Sequence, residues 1–464
     1  MSSFAAMEIS TKMLPNVIAG RLAMSASASS ILLLTPYTGG NLGDAAIQEA
    51  LVHHLRKGSS GQKIQLVTLC PRVTSKLHGL PSFPICPCVF DGNVPSSSGS
   101  DTKCESRAGF AHEDQRSARR RNWMYRIIRM PWRGFRWACS VLRRAQLEVV
   151  HSVQAFLLLR ETNFLVMSGG GQIDDFWGGA FGHPWSLFKW ACLAQLTGTQ
   201  VVFLSVGVCS LHSPWSRYFA HQALRLATYR SYRDGESKRL LSEAAFTRDD
   251  PVYPDLAFSY PCVKENHSAR RGFDSKRLVV GFSPIACFSP SVWPEHNEPV
   301  YHRYIKILSE FVLKVLEAGH TVVLFTTSLM DKVAVKDLEA HLFEALKGKE
   351  QSTRLRNVDQ FDLKQQLEEI EKMDMVIASR LHGVILAHLL GKPTLAISYD
   401  RKVRTHMKGM SQEHFCLDLV DCDLLQLWDR FTVLASEWSS VAGGICQKVE
   451  DYRQQLDRQY AFFN

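Results

Sequence analysis

From Ile31 onward the chain alternates short apolar, β-rich runs with stretches of helical spacing, and this rhythm constrains the fold more than any other feature. The runs are "ILLLTPY", "IQLVTLC", "FLVMSGG", "VVFLSVGV", "RSYRD", "LVVGFSP", "TVVLFTT", "DMVIASR" and "TLAISYD". Strands joined through helices run parallel, and parallel sheets are covered on both faces, so their strands read as near-continuous apolar segments. The expected fold class is α/β, with doubly wound parallel sheets.

A length of 464 residues exceeds the roughly 250–300 at which single cores stop growing, so two domains are expected. The charged, Pro-containing segment "PCVKENHSARRGFDSKR" breaks the rhythm and reads as the linker between them. This gives a disordered or targeting tail over 1–29, a Rossmann-like domain over 30–265, and a second over 276–464 that ends in helices. In the second, "YHRYIKILSEFVLKVLEAGH" carries helical spacing, stops at Gly319 and feeds "TVVLFTT", as a βαβ crossover does.

Residues 91–145 depart from the pattern and read as an insertion. A Ser/Gly-rich start gives way to ten arginines between Arg116 and Arg144, interleaved with Trp123, Trp132 and Trp137. Most of the net charge of +9 lies here. Pro131 and Gly134 are expected to interrupt any helix through it. Such a patch suits anionic headgroups, so peripheral membrane contact through 116–144 is one expectation and a solvated basic loop the other. No RNA-recognition motif accompanies it, and no nucleic acid partner is expected.

With 45% hydrophobic and 21% charged residues, the composition is that of a soluble globular enzyme. No apolar run approaches the length of a membrane span. Twelve scattered cysteines without a C-x-x-C pair suit reduced thiols in a cytoplasmic setting. Residues 1–28, rich in Ser and Ala, fit either an organelle transit segment or a disordered tail.

Four stretches could carry chemistry. In "LTPYTGGNLGDAAIQEALVHHL" a strand runs into Gly39, Gly40 and Gly43 beside Asn41, and Asp44 could cap the helix that follows. Exposed N–H groups there would attract an anion, or the glycines simply make a tight turn. In "FLVMSGGGQIDDFWG" Gly169 and Gly170 permit close approach to the backbone, and Asp174 could hold sugar hydroxyls or act as a base. In "YRSYRDGESKRLL" Arg233 ends a strand beside a helix start, placed for a phosphate or carboxylate or for a surface ion pair.

The fourth is "SRLHGVILAHLLGKPTLAISYDRKVRTHM". Here Arg380, Leu381 and His382 fall in the turn at the edge of the sheet where open α/β folds bind ligands. A helix N-terminus disfavours positive charge, and an anionic ligand resolves the conflict. His382 then suits a general acid or base, against the alternative of a core histidine satisfied by backbone. His388 reads as buried structure. Tyr399 and Lys402 follow the last strand at the same edge, with Lys402 a candidate anion contact.

In that order and spacing, "GGNLGDAAIQEAL", "MSGGG", "YRDGESKRLL" and "SRLHGVILAHLLGKPTLAISYDRKV" resemble the polysaccharide pyruvyl transferase family over about residues 31 to 410, apart from the basic insertion. The resemblance implies two Rossmann-like domains facing across a cleft, glycosyltransferase-B-like, with phosphoenolpyruvate as donor and a glycan or lipid-linked glycan as acceptor. The product would be a pyruvate ketal, with phosphate released. It implies Arg380 and His382 as catalytic residues. The donor would rest on Arg233, Arg380, Leu381, Lys402, Gly40, Asn41, Gly43, Gly169 and Gly170, and the acceptor on Asp44, Asp174 and Tyr399. No metal or further cofactor is expected. A nucleotide-sugar-dependent glycosyltransferase and a catalytically silent phospholigand- or glycan-binding member are the alternatives.

Overall fold

The computed structural model describes residues 30–58, 62–87, 123–175, 178–243, 249–261, 277–293 and 295–463. The expected tail, the 262–276 linker and the 91–122 part of the insertion lie outside these residues.

The first sheet contains β1 (Ser30–Thr35), β2 (Lys63–Thr68), β3 (Ser82–Pro84), β4 (Phe164–Met167), β5 (Gly170–Ile173), β6 (Gln200–Val208) and β7 (Tyr229–Tyr232). All its pairings are parallel, in the order β3-β2-β1-β4-β6 with β7 on β6. β5 resumes beyond Ser168 and Gly169 and pairs with the far half of β6. The chain winds outward from β1 through β2 and β3, then restarts at β4 on the other side of β1. The switch point is therefore the crevice between β1 and β4, where open α/β sheets bind ligands.

The second sheet repeats this plan with β8 (Val279–Ser283), β9 (Thr321–Leu324), β10 (Leu355–Asn357), β11 (Met375–Ala378), β12 (Thr394–Ser398) and β13 (Cys416–Asp418), in the order β10-β9-β8-β11-β12-β13. Its switch point lies between β8 and β11. Sequence reading missed β3, β5, β10 and β13, of three or four residues each. Strands this short add little pattern, and β5 ("GGQI") reads as a loop because its glycines hide a strand held by its neighbour.

The two sheets meet at these edges. Past β1, the Leu42 N–H donates to the Thr327 carbonyl at 2.9 Å and the Leu329 N–H donates to the Gly40 carbonyl at 3.0 Å, closing an antiparallel bridge between Asn41 and Ser328. One apolar core runs without a break from Ile31 and Leu33 to Val280 and Leu395 in the second sheet. The last long helix (Trp438–Tyr460) returns to the first domain. There Gln459 binds Ser205 and Ser231, and the Tyr460 hydroxyl meets that of Ser259 at 2.8 Å.

Two expectations are corrected. Helix α1 (Leu42–Gly58) starts two residues before Asp44, and Asn41 caps it by accepting from the Gly43 N–H at 2.9 Å. Asp44 thus sits in the first helical turn, turned toward the other domain, rather than at the cap. Helix α2 (Pro71–His78) precedes β3, and after it α3 spans Trp123–Arg160 unbroken through Pro131 and Gly134. Proline removes one donor, and helix propagation is cooperative. The C-terminal half of α3 is anchored on the sheet by buried His151, Ala155 and Leu159, and the helix continues from that anchor.

Glu49 on α1 is half-buried near the domain junction. Burial raises its carboxyl to about 7, with Asp362 adding to the rise and a hydrogen bond from Tyr260 opposing it. Between the ordinary 4.5 and about 7 the folded protein holds a proton that the unfolded chain releases, so stability falls as pH rises through that window. Glu49→Gln is expected to melt higher than the parent at pH 8 and at the same temperature below pH 4.5. A melting curve that follows the parent at both values removes this role.

Candidate functional site

Each candidate side chain is delivered by a backbone element ending at one of the two switch points. After α4 (His183–Thr197), α5 (Pro214–Arg225), α6 (Gly235–Glu243), α7 (Glu298–Glu317), α8 (Lys332–Leu346) and α9 (Leu363–Glu371), Arg380 stands at the N-cap of α10 (Leu381–Leu389). Its guanidinium grips Asp331 in a fork, with Nη2 to Oδ1 at 2.8 Å and Nε to Oδ2. Asp331 is buried and also accepts from the Ala286 N–H at 3.0 Å. Burial works against the arginine's charge, but Asp331 outweighs it and raises the pKa of Arg380. A forked, charge-assisted pair of this kind fixes the guanidinium's orientation, and Nη1 is left outside the pair.

Arg233 follows β7. Its Nη1 donates to Asp255 Oδ2 at 3.3 Å and its Nε to Asp234 Oδ2 at 3.5 Å. The side chain is only 9% exposed, so this is a buried clamp and not a surface ion pair. Asp255 is held in turn by the Ala257 N–H at 3.0 Å. The chain leading to it is pinned by the buried fork between Arg230 and Asp250, at 3.0 and 3.1 Å.

His382 is buried, and its Nε2 stands 3.8 Å from Asp255 Oδ2, an ion-pair distance too long for a hydrogen bond. Nε2 has no hydrogen-bond partner, and neither have Ser283 Oγ and Thr327 Oγ1. All three orphaned groups lie at the ends of β8, β9 and β11. Buried polar atoms are nearly always paired, so three orphans at one sheet edge mark a place built for a polar ligand. The alternative of a backbone-satisfied core histidine does not hold at Nε2.

Arg233, Asp255 and His382 therefore form a row of ionisable side chains that crosses from one domain to the other, with Asp44 beside it. Burial alone would raise the Asp255 carboxyl, but His382 and Arg233 hold it below the usual carboxylate range. Asp44 goes the other way. Burial raises it, Asp255 adds to the rise, and His382, Arg380 and Arg233 only partly offset it. The two neighbouring carboxylates are thus pushed in opposite directions.

The remaining candidates are placed less uniformly. A Cβ on Gly43 would stand 1.9 Å from His382 Cγ, so this glycine makes room for the imidazole. Gly40 and Asn41 commit polar groups to the domain bridge and the α1 cap. Gly169 lets its strand close on Leu256 and the Ser205 carbonyl, where a Cβ would come within 3.1 Å of both. Gly170 has φ +84° and faces Asp44 Oδ1. Leu381 buries its side chain in the core, leaving its backbone for any ligand.

Asp174, at the end of β5, and Lys402 are brought together around Cys209, whose thiol is pushed up to about 12 by burial and then by Asp174, with Lys402 and Arg233 opposing. Lys402 opens α11 (Arg401–Gly409), with its Nζ 5.2 Å from the centre of the Tyr399 ring. Burial would lower its pKa, but Tyr399, Cys209 and Asp400 raise it. His388 is buried and meets His406 at 3.1 Å, as structure.

Asp255, Asp331 and the role of Gly43 were not legible beforehand. Buried arginines demand carboxylates, yet no local pattern says that "SLMDK" and "YPDLAF" supply them. Among the described residues no group of three or more His, Cys, Asp or Glu side chains could hold a metal ion.

Comparison with solved structures finds the same architecture in two UDP-GlcNAc 2-epimerases. The UDP-GlcNAc 2-epimerase of Neisseria meningitidis bound to UDP-GlcNAc superposes with a TM-score of 0.53 at 10% identity, over 94% of this chain and 100% of that one. The UDP-GlcNAc 2-epimerase of Methanocaldococcus jannaschii gives 0.51 at 11% identity, over 88% and 92%. Identities this low speak for the fold alone, which is α/β and glycosyltransferase-B-like. A comparison against curated proteins finds no match. A family model described as polysaccharide pyruvyl transferase matches residues 41–401, a span that takes in both switch points and the whole row from Asp44 through Arg233, Asp255 and Asp331 to Arg380 and His382. The chain belongs to the polysaccharide pyruvyl transferase family.

Proposed function

We propose that this transferase moves the pyruvyl group of phosphoenolpyruvate onto two hydroxyls of a glycan sugar as a ketal, releasing phosphate. The observation that carries the reading is the row of ionisable side chains across the cleft, two fixed guanidiniums and a buried imidazole 3.8 Å from Asp255. A phosphate and a carboxylate on one three-carbon donor call for two cationic clamps, and Arg233 and Arg380 are spaced on opposite domains to receive them, with Lys402 at the rim.

The chemistry then balances on protons. The methylene carbon gains one, which leaves the neighbouring carbon open to a first sugar hydroxyl. The bond from that carbon to the phosphate oxygen breaks, a second hydroxyl attacks, and the ketal closes. The hydroxyls lose two protons, of which one replaces the proton placed on carbon and one leaves with phosphate. His382 and Asp44 are the groups able to carry these protons, Asp44 because burial favours its protonated form and His382 because Nε2 is uncommitted. Asp255 orients His382 and balances its charge. Asp174 and Tyr399 are the acceptor contacts of this reading.

Incubation of the purified protein with phosphoenolpyruvate and a panel of galactosides and mannosides tests the reading. Expected results are a pyruvate ketal by mass and an equal amount of free phosphate. Phosphoenolpyruvate alone should raise the melting temperature. Consumption of a sugar nucleotide with phosphoenolpyruvate untouched would transfer the assignment to a glycosyltransferase.

A further inference from the structure

Helix α3 is far longer than its attachment requires. Thirty-eight residues span about 57 Å at 1.5 Å per residue. Its C-terminal third is tied down: Glu148 receives Trp185 Nε1 at 3.1 Å and Lys189, and His151 bonds the Pro84 carbonyl at 2.9 Å. The opposite side is apolar and bare. Leu142 is 69% exposed, Val149 63%, Val153 54% and Leu157 53%, with Val150 beside them at 49%. Their spacing of seven, four and four residues draws a single stripe. Exposed helix positions ordinarily take polar side chains, and valine is a poor choice on helix-propensity grounds as well, so such a stripe marks a contact surface.

Trp215 and Tyr218 on α5 are also exposed. Tyr218 meets Phe188 of α4 at 6.2 Å, and Phe188 meets Trp185 at 5.9 Å, which reaches α3 through Glu148. Charge identifies the occupant. The sequence from 115 to 147 holds no acidic residue and ten arginines, and Arg143 and Arg144 on the same helix are exposed. A second copy laid on this face would bring two such clusters together, whereas an anionic bilayer complements them. No described helix is long and apolar enough to cross a membrane.

We propose that the exposed apolar face of α3, a helix whose sequence is rich in arginine, docks the protein on the surface of an anionic lipid bilayer. This does not depend on which reaction the cleft performs. Cosedimentation of the full chain with vesicles tests it, using phosphatidylcholine alone and phosphatidylcholine mixed with phosphatidylserine. The intact protein is expected to bind only the anionic vesicles, less so as salt rises. The double variant V149S/V153S is expected to lose roughly tenfold or more in affinity, and R143E/R144E to lose binding as well, both with unchanged melting temperature.

No binding to anionic vesicles overturns the proposal, as does binding that the valine variant leaves unchanged. A dimer that V149S/V153S dissociates would give the face to a second copy. A monomer that ignores vesicles and is destabilised by V149S/V153S would give it to another segment of this chain.

Discussion

His382→Gln should reduce ketal formation and phosphate release by about 10²- to 10⁴-fold, the usual contribution of a positioned proton carrier. Glutamine approximates the size of imidazole and can still face Asp255, so the loss reports proton transfer and not collapse of the cleft. Donor binding, read as the rise in melting temperature with phosphoenolpyruvate, should persist, because Arg233 and Arg380 keep their carboxylate partners Asp255 and Asp331. Turnover within a few-fold of the parent would remove His382 from the reaction. Loss of donor binding together with turnover would make it a binding residue instead.

Gly43→Ala should be nearly as damaging, although it adds a single methyl group to a residue without functional atoms. The added carbon would fall 1.9 Å from His382 Cγ and 2.4 Å from its Cβ, distances at which one partner must move. Gly43 lies in the first turn of α1, anchored by the Asn41 cap and by the bridge to Ser328, so its backbone is poorly free to retreat. The imidazole swings away or the domains part. A displacement of about 1 Å at a reacting group can cost about 10²-fold in rate, and a loss of that order in kcat is the expected result. Gly40→Ala is the control, since a Cβ there meets nothing closer than 3.5 Å and its φ is unrestricted. Equal activity in the two variants would deny Gly43 its role as the recess for His382.

The two arginines illustrate how far local sequence reaches. Each was visible as a cation at the C-terminal end of a strand, a position that a buried guanidinium takes only for a reason. Which carboxylate fixes each was not visible, because Asp255 stands 22 residues from Arg233 and Asp331 stands 49 residues from Arg380. Pairing over such separations is a product of strand order. α3 shows the converse. Proline and glycine gave a correct local penalty and a wrong break, because a helix anchored elsewhere propagates through one lost donor.

Gly43 makes the same point at the site. In sequence it belongs with Gly39 and Gly40 in a turn that suggests a phosphate cradle. Its actual neighbour, 339 positions away in numbering at His382, is supplied by the other domain, and no spacing rule connects the two.

The alternation of apolar runs and helices was enough to determine an α/β chain of parallel sheets, and it put the reactive residue types at strand ends, because period and propensity act over a few residues. The row of ionisable side chains, the orphaned Nε2 and the division between Asp44 and Asp255 were decided only when two switch points closed on each other. Burial and charge proximity in three dimensions set those properties, and neither is a function of local sequence.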